Sequence, residues 1–135
     1  MRVLLVDDDL FAAELASVFL EMSGYEVIIA ESAMTALANI DSDNDIDLVI
    51  SDFHMPDITG LDLLEMLRAN GWSKPFILLS ASELTDITVI PDCWVQKDEN
   101  MAERLVAVVN DILVNEILVN QIVANEERLQ ANAAE

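Results

Sequence analysis

Five side chains that could carry out chemistry end, or directly follow, short apolar runs of this sequence. Asp7 and Asp8 come directly after the first run. Asp52 and Ser80 end the third and fourth runs, and Lys97 follows the fifth. Neighbouring carboxylates repel one another and favour a hard divalent cation, and oxygen ligands that leave room for bound water suit Mg²⁺. The sequence therefore predicts a magnesium site, with one hydroxyl and one ammonium beside it, if the fold brings these run ends together.

The runs themselves are typical of strands buried in a parallel sheet, because they are apolar and end at polar residues. Strands are predicted at residues 3–6, 25–30, 47–52, 75–80 and 93–96. Helices are predicted at residues 10–22, 33–40, 61–70, a short one at 83–90, and a long one from about residue 99. This alternation predicts an α/β fold, a doubly wound five-stranded parallel sheet with helices on both faces. In such a sheet the carboxyl ends of the strands meet at one edge, where ligands bind.

The first predicted helix has the apolar pattern of an amphipathic helix. Phe11, Leu15, Val18 and Met22 recur at spacings of four, three and four residues, which places them on one face. Asp9, directly before this helix, is expected to cap it and to do little more.

The charge of the chain excludes two classes of partner. Its 135 residues include 26 Asp plus Glu against six Lys plus Arg, a formal net charge of −20. A surface this acidic cannot neutralise phosphates, so no nucleic-acid partner is expected, and an anionic membrane would repel it. The same acidity suggests adaptation to high salt, where screening relieves self-repulsion.

Length and composition predict one soluble, cytoplasmic domain. The most apolar window, residues 105–124, is interrupted by six Asn, Asp, Glu and Gln residues, so no membrane span is predicted. The amino terminus lacks the apolar stretch and cleavage site of a signal peptide. The single cysteine, Cys93, fits a reducing compartment.

Together, the residues at the run ends resemble those of the receiver domain of two-component response regulators. The matching residues are Val6-Asp7-Asp8, the segment Asp52-Phe53-His54-Met55-Pro56-Asp57-Ile58-Thr59-Gly60, the pair Ser80-Ala81, and Lys97. The resemblance covers roughly residues 2–113 and is more specific than any single short motif. It implies the flavodoxin-like receiver form of the predicted fold.

The resemblance implies a separate role for each acidic residue. Asp52 would be the phosphoacceptor, and Asp8 and Asp52 would bind Mg²⁺ together with the backbone carbonyl of His54. Asp7 would act mainly through bound water. The His54 side chain could tune the lifetime of the phosphoryl group, although a solvent-facing loop histidine is an equally good interpretation.

The resemblance also implies a switch. Ser80 and Lys97 would each contact a phosphoryl oxygen, and Ser80 would then turn toward the phosphate with Trp94 following it inward. The phosphodonor would be a sensor histidine kinase or a small phosphodonor, and the output partner would be a protein that the sequence does not name. The chain would catalyse only its own phosphoryl transfer and dephosphorylation, so it is not expected to be an enzyme.

Three features depart from the receiver pattern. Sixteen residues separate Ser80 from Lys97, so the fourth helix must be short or absent, with Pro91 limiting it. Asp98 follows the lysine where the family commonly has proline, and Trp94 stands where tyrosine or phenylalanine is usual. All three lie on the surface that receivers generally use for output.

The carboxyl-terminal segment predicts a second unit. We expect a receiver domain at residues 1–113 and a helical extension at residues 114–135, with fraying from residue 126. A five-residue repeat, beginning at Val109, Val114 and Val119, spreads apolar side chains around several sides of a helix. A seam at spacings of three and four, interrupted by Glu116, contains Ala102, Leu105, Val109, Ile112, Val119 and Val123. The extension is interpreted as a homodimer helix or a linker into another module, and otherwise as a helix folded back on its own domain.

Three alternative functions remain open on the sequence alone. A receiver-like scaffold that dimerises without phosphorylation would explain the shortened fourth helix and the apolar extension. A phosphatase with an aspartate nucleophile fits Asp7-Asp8-Asp9 but lacks an insertion that would form a substrate pocket. A nucleophilic pair of Ser51 and His54 is disfavoured, since Ser51 lies in a strand with its side chain on the face opposite to that of Asp52.

Overall fold

The computed structural model describes residues 1–81 and 90–133, in which strands and helices alternate along the chain as far as the fourth strand. In order they are β1 (Arg2–Val6), α1 (Leu10–Met22), β2 (Glu26–Ala30), α2 (Ala33–Ser42), β3 (Ile46–Asp52), α3 (Gly60–Ala69), β4 (Phe76–Ser80), β5 (Cys93–Gln96) and α4 (Met101–Ala133). All five predicted strands are present within one or two residues of their expected bounds. The short helix predicted from residue 83 falls on residues outside the described part of the chain.

The five strands form one parallel sheet in the order β2-β1-β3-β4-β5. The chain first moves outward from β1 to β2 and then returns past β1 to β3, so the winding direction reverses between β1 and β3. This confirms the doubly wound sheet. It also places the switch point, where such sheets bind ligands, between the ends of β1 and β3.

Alternate residues of the strands supply two apolar cores, one on each face of the sheet. One face packs against α1 and α4, and the other packs against α2 and α3. Leu5 of β1 belongs to the first core and Leu4 to the second, and both are essentially fully buried. Helices on both faces are therefore confirmed, and the functional edge of the sheet is held from both sides.

Helix α1 is where predicted, but the face that its amphipathic pattern would bury is in fact exposed. Phe11 and Met22 are 79% and 80% exposed, and Leu15 and Val18 are about half exposed. The buried residues on the opposite face are Ala13, Ala16, Ser17 and Leu20. Small side chains let the helix backbone approach the sheet closely, so the larger apolar residues are left on the outside. We call these four exposed residues the α1 outer face.

Helix α4 covers the sheet with its first turns and then continues past it. Leu105, Val109 and Leu113 are buried in the core shared with α1. The predicted three-four seam is therefore used, in its first part, by the domain itself. Every residue from 114 to 131 is exposed. The helix runs to Ala133, past residue 126 where fraying is expected, through residues such as Glu, Leu, Gln and Ala that favour helix.

By length and composition alone, Met101–Ala131 is long and apolar enough to cross a membrane, with a mean hydropathy of 1.5 in its most apolar window. The buried residues of its first half pack on the sheet, as described above. The second half carries Glu116, Asn120, Gln121, Asn125 and Glu126 at short intervals. The whole helix therefore cannot lie in a bilayer while its first turns cover the sheet.

The amino-terminal edge of the sheet is tied together by basic side chains. The Lys74 Nζ donates to the carbonyls of Asn44 and Ile46, at 3.2 and 2.9 Å. The Arg2 guanidinium donates to Asp43 at 2.6 Å and to Glu26 at 3.2 Å. These contacts occupy two of the six basic side chains, so most of the 26 acidic residues have no basic neighbour of their own.

We expect added NaCl to stabilise this fold. A net charge of −20 destabilises the compact state through self-repulsion, and molar salt reduces the Debye length to about 3 Å. Thermal unfolding followed by circular dichroism should show a melting temperature that rises by several degrees between low and molar NaCl. A melting temperature independent of NaCl would contradict both this expectation and the idea of high-salt adaptation.

Candidate functional site

The predicted site residues lie at the carboxyl ends of four adjacent strands. Asp7 follows β1, Asp52 ends β3, Ser80 ends β4, and Lys97 follows β5. The backbone N–H of Lys97 donates to the carbonyl of Ser80 at 2.8 Å, which fixes the end of β5 beside that of β4. The backbone N–H of Asp7 donates in the same way to Ala30, at the end of β2, at 3.0 Å. The sheet therefore sets the spacing of the site before any side-chain contact is made.

Three carboxylates converge at this edge. One oxygen from each of Asp7, Asp8 and Asp52 lies within 4.8 Å of the other two. Asp7 and Asp52 are buried, at 3% and 6% exposed, whereas Asp8 is exposed to solvent. This donor set of carboxylate oxygens, open on one side, fits a hard divalent cation such as Mg²⁺ that keeps bound water.

Lys97 supplies the positive charge next to this cluster. Its Nζ lies 2.9 Å from Oδ1 of Asp52 and 4.0 Å from Oδ2 of Asp7. The lysine side chain is about one third exposed, so it lies at the solvent-accessible side of the site. Three carboxylates against one ammonium leave the site with an excess of negative charge.

Burial raises the pKa of the Asp7 carboxyl above its usual value, and the nearby carboxylates of Asp52 and Asp8 act in the same direction. The backbone N–H of Asp9, which donates to Asp7 at 3.0 Å, and the Lys97 ammonium oppose that increase. Because its pKa is higher in the folded than in the unfolded state, ionised Asp7 destabilises the fold as pH rises through that raised pKa. A bound cation would offset this cost.

We expect the substitution Asp7→Asn to stabilise the protein at neutral pH when no divalent cation is present. The amide carbonyl can still accept from the Asp9 N–H, while a buried like charge is removed. The gain should be a few degrees in melting temperature. Thermal unfolding in EDTA tests this, and a lower melting temperature for the variant would contradict it. Adding Mg²⁺ should stabilise the parent more than the variant.

Asp9 has the capping role predicted for it. Its side chain accepts a hydrogen bond from the backbone N–H of Ala12 at 3.2 Å, at the amino end of α1. It therefore stands apart from the Asp7, Asp8 and Asp52 group, and its carboxylate stabilises the first turn of the helix.

Ser51 and His54, on either side of Asp52, make separate contacts. The buried Ser51 hydroxyl donates to the backbone carbonyl of Asp52 at 3.0 Å. The His54 ring is exposed and contacts Phe53 edge-to-face, with centroids 4.8 Å apart, while its backbone N–H donates to Oδ1 of Asp52 at 3.4 Å. The Ser51 hydroxyl is committed to the backbone and the His54 ring to the loop surface. These contacts do not favour a nucleophilic pair.

The last two predicted residues lie on the β4 and β5 side of the site. Ser80 is buried, at 1% exposed, and is hydrogen-bonded through its backbone to the residue that follows β5. Trp94, in β5, pairs with Leu78 of β4 and is 37% exposed. Trp94 is therefore accessible to solvent in this conformation.

Gly60 is a site residue whose role the sequence did not reveal. It begins α3, and a Cβ at this position would lie 2.5 Å from the backbone oxygen of Asp52 and 2.7 Å from Leu78 Cδ1. Its N–H donates to the carbonyl of Phe53 at 2.9 Å, which pulls the loop back against β3. The sequence does contain one signal for this contact. Thr59 and Asp62 form a capping box, a pattern that fixes the first residue of the helix.

Comparison with known proteins gives one consistent result. A family model described as the response regulator receiver domain matches residues 3–90, a range that contains Asp7, Asp8, Asp52 and Ser80 and ends before Lys97. The two-component response regulator ORR12 of Oryza sativa subsp. japonica is 44% identical over 63 residues, which are 47% of this chain and 52% of that protein. The response regulator SaeR of Staphylococcus aureus (strain USA300) is 28% identical over 117 residues, which are 83% of this chain and 50% of SaeR. The chain thus spans about half the length of these two curated relatives.

Solved structures resemble the chain over most of its length. The Francisella response regulator 1452 receiver domain has a TM-score of 0.76 and 26% identity, with 85% of this chain and 98% of that one covered. The response regulator protein TrrA from Thermotoga maritima, in complex with Mg²⁺-BeF, has a TM-score of 0.71 and 33% identity, with 81% and 96% covered. The sheet and its helices therefore follow a known arrangement.

Proposed function

This chain belongs to the response regulator receiver family, and from that premise we propose that it is a phosphorylatable switch of a two-component system, with Asp52 as the phosphoacceptor. One observation carries the proposal. The carboxylate of Asp52 lies at the strand edge with Lys97 at 2.9 Å and with Asp7 and Asp8 close enough to share a cation. A nucleophile, a positive charge and a cation site thus meet where an incoming phosphoryl group would have to bind.

The proposed reaction is a phosphoryl transfer to a carboxylate. An oxygen of Asp52 attacks phosphorus in line, the bond from phosphorus to the imidazole nitrogen of a phosphohistidine breaks, and that nitrogen receives the electron pair and then a proton. The product is an acyl phosphate on Asp52, which water later hydrolyses. The ammonium of Lys97 would stabilise the negative charge on the phosphoryl oxygens, as its position beside Asp52 allows.

We propose that the divalent cation at this site is Mg²⁺. Asp8 and Asp52 would hold it together with the backbone carbonyl of His54, and Asp7 would act through bound water. When bound, Mg²⁺ neutralises phosphoryl oxygens during transfer. The similarity to TrrA, solved in complex with Mg²⁺-BeF, supports this assignment, as does the surplus of carboxylates described above.

Phosphorylation would change the surface at the β4 and β5 side of the sheet. Ser80 would contact a phosphoryl oxygen, and the exposed Trp94 would move inward behind it. A local change of charge would in this way alter a surface for a protein partner. The chain's own covalent chemistry would be limited to accepting and losing this phosphoryl group, so we do not propose that it is an enzyme with a separate substrate.

We propose a sensor histidine kinase as the phosphodonor. The α1 outer face supports a protein donor, because it is a contiguous apolar surface that starts three residues after Asp8, and such surfaces mark interaction sites. A second copy of the chain, joined through the carboxyl-terminal extension, is a further partner. The proposed compartment is the cytoplasm, where histidine kinases present their phosphohistidine.

A scaffold that never carries phosphate is the competing function. Such a scaffold would have no need to hold the carboxylates of Asp7, Asp8 and Asp52 together beside the ammonium of Lys97. The intact group favours the phosphorylated switch.

We expect one phosphoryl group per chain after incubation with acetyl phosphate and Mg²⁺, measured by intact mass. The reaction should stop when EDTA replaces Mg²⁺, because the carboxylate cluster then repels the anionic donor. Labelling that resists hydroxylamine, or a mass increase that persists in EDTA, would point to another residue or another chemistry. Absence of labelling with every donor would reject the proposed function.

A further inference from the structure

The second half of α4 presents an apolar stripe on the side that faces away from its own sheet. Val114, Leu118, Ile122 and Leu129 are between 49% and 64% exposed. A helix advances 100° per residue, so these four lie within an arc of about 80°. The arc is centred about 180° from the three α4 residues that are buried against the sheet. We call these four residues the α4 outer stripe.

The opposite side of the same segment faces the sheet domain of its own chain. Ile117 and Asn120 line a shallow cavity together with Asp47 and Lys74 at the amino-terminal edge of the sheet. Residues on that side are thus partly used within the chain. The α4 outer stripe has no such neighbour among the described residues.

This segment is a poor helix in isolation. Eight of the twelve residues at positions 114–125 are Val, Ile or Asn, which form helix less readily than Ala, Leu or Glu. Single helices of about 12–15 residues are only marginally stable in water even when they are rich in alanine. The helix over residues 114–125 would therefore be stabilised by packing against another surface.

We propose that the α4 outer stripe pairs with the same stripe of a second copy, as a parallel two-helix coil. In parallel register each apolar residue of the stripe meets its own counterpart. Asn125 lies between Ile122 and Leu129 on this side and would also meet its counterpart. An amide both donates and accepts, so two asparagines satisfy each other across a two-fold axis, and a single such pair sets register in coiled coils. Within one chain the Asn125 Oδ1 accepts from Arg128, which leaves its NH₂ to donate across.

Charge favours a second copy over other occupants. Residues 114–133 contain three glutamates and one arginine, a net charge of −2, whereas the whole chain carries −20. This is a charge of −0.10 per residue over these 20 residues, against about −0.16 per residue over the other 115, so like chains repel one another less along this segment than along the rest of the molecule. A basic partner would be drawn to the sheet domain instead. A bilayer-spanning helix would have to bury Glu116, Asn120 and Gln121.

The position of the stripe also allows two domains to fit. Because the stripe is opposite the face that packs on the sheet, a partner helix approaches from the side away from the domain. The two sheet domains then lie on opposite outer sides of the helix pair. This arrangement avoids a clash and keeps the two most acidic parts of the dimer apart.

The test is the molar mass of the full chain by light scattering over a dilution series, without phosphodonor. A dimer is expected. Ile122→Glu should raise its dissociation constant by at least about a hundredfold, because a charge would be buried at the interface in both copies. The matched control is Val123→Glu, on the opposite side of the helix and 46% exposed, which should leave the dimer intact. Both variants should keep the parent melting temperature in the dissociated state, since neither residue packs on the sheet.

Orientation is tested with Leu118→Cys in a Cys93→Ser background. Oxidation should link two chains through position 118, because a parallel pair places these residues side by side. A monomeric parent, a trimer or tetramer, equal effects of the two glutamate variants, or no link at position 118 would overturn the proposal. Flotation of a monomer with phosphatidylcholine vesicles would replace it with a membrane contact. Because Asp52 takes no part in the pairing, failure here would leave the proposed phosphorylation unaffected.

Discussion

Asp52→Asn should take up no phosphoryl group from acetyl phosphate and Mg²⁺ under conditions in which the parent is fully labelled. The amide has nearly the same shape as the carboxylate, so the strand edge should keep its structure. It lacks the anionic oxygen that must attack phosphorus, and loss of a nucleophile removes the reaction rather than slowing it. Intact mass of the two proteins, treated in parallel, is the measurement.

The control for this variant is Asp57→Asn, which changes the same functional groups in the same loop. Asp57 is exposed and lies outside the cluster of three carboxylates. It should be labelled to the same extent as the parent. Full labelling of Asp52→Asn would show that another side chain accepts the group. Loss of labelling in both variants would show that the total charge of the loop, rather than Asp52, controls the reaction.

Gly60→Ala should destabilise the protein by about 3 kcal/mol, or roughly 10 °C in melting temperature. The new Cβ would lie 2.5 Å from a backbone oxygen of Asp52, and backbone in the middle of a sheet cannot move aside as a flexible side chain can. The residue that must shift is the proposed phosphoacceptor. We therefore expect slower labelling by acetyl phosphate in addition to the loss of stability measured by urea unfolding.

The variant Gly24→Ala tests whether slower labelling follows from lost stability alone or from the close contact at Gly60. Gly24 has a φ of +95°, so alanine there strains the backbone by about 1–2 kcal/mol, yet its Cβ would meet nothing within 4 Å. It is far from the strand edge that carries Asp52. This variant should lose some stability and label at the parent rate. If Gly60→Ala were no less stable than Gly24→Ala, or labelled normally, the close approach at Gly60 would not matter for the site.

The strands and the site could be predicted because their signals are local. A buried parallel strand needs a continuous apolar run, and the residue after such a run must lie at one edge of the sheet. The order of runs along the chain was enough to bring Asp7, Asp8, Asp52 and Lys97 to that edge. Their convergence follows from topology, and the distances between their side chains in the structure agree with it.

The helix faces could not be predicted in the same way. Periodicity shows which residues of α1 share a face, but the side that packs is decided by how closely the helix can approach the sheet. Ala13 and Ala16 permit a close approach, so they are buried while the larger Phe11 is exposed. The same reason hid the role of Gly60, since a close contact between distant segments has no local pattern. The seam predicted in α4 likewise mixed residues that pack on the domain with residues beyond it.

Because α4 is continuous, a change of its angle at the sheet would move its far end by a larger distance. The helix begins four residues after Lys97 and runs without interruption to Ala133, and its last twenty residues extend about 30 Å beyond the turn that is fixed to the sheet. A tilt of about 10° at that turn would carry the far end through roughly 5 Å. A small rotation of α4 where it packs on the sheet would thus move its carboxyl-terminal end by about the pitch of one helical turn.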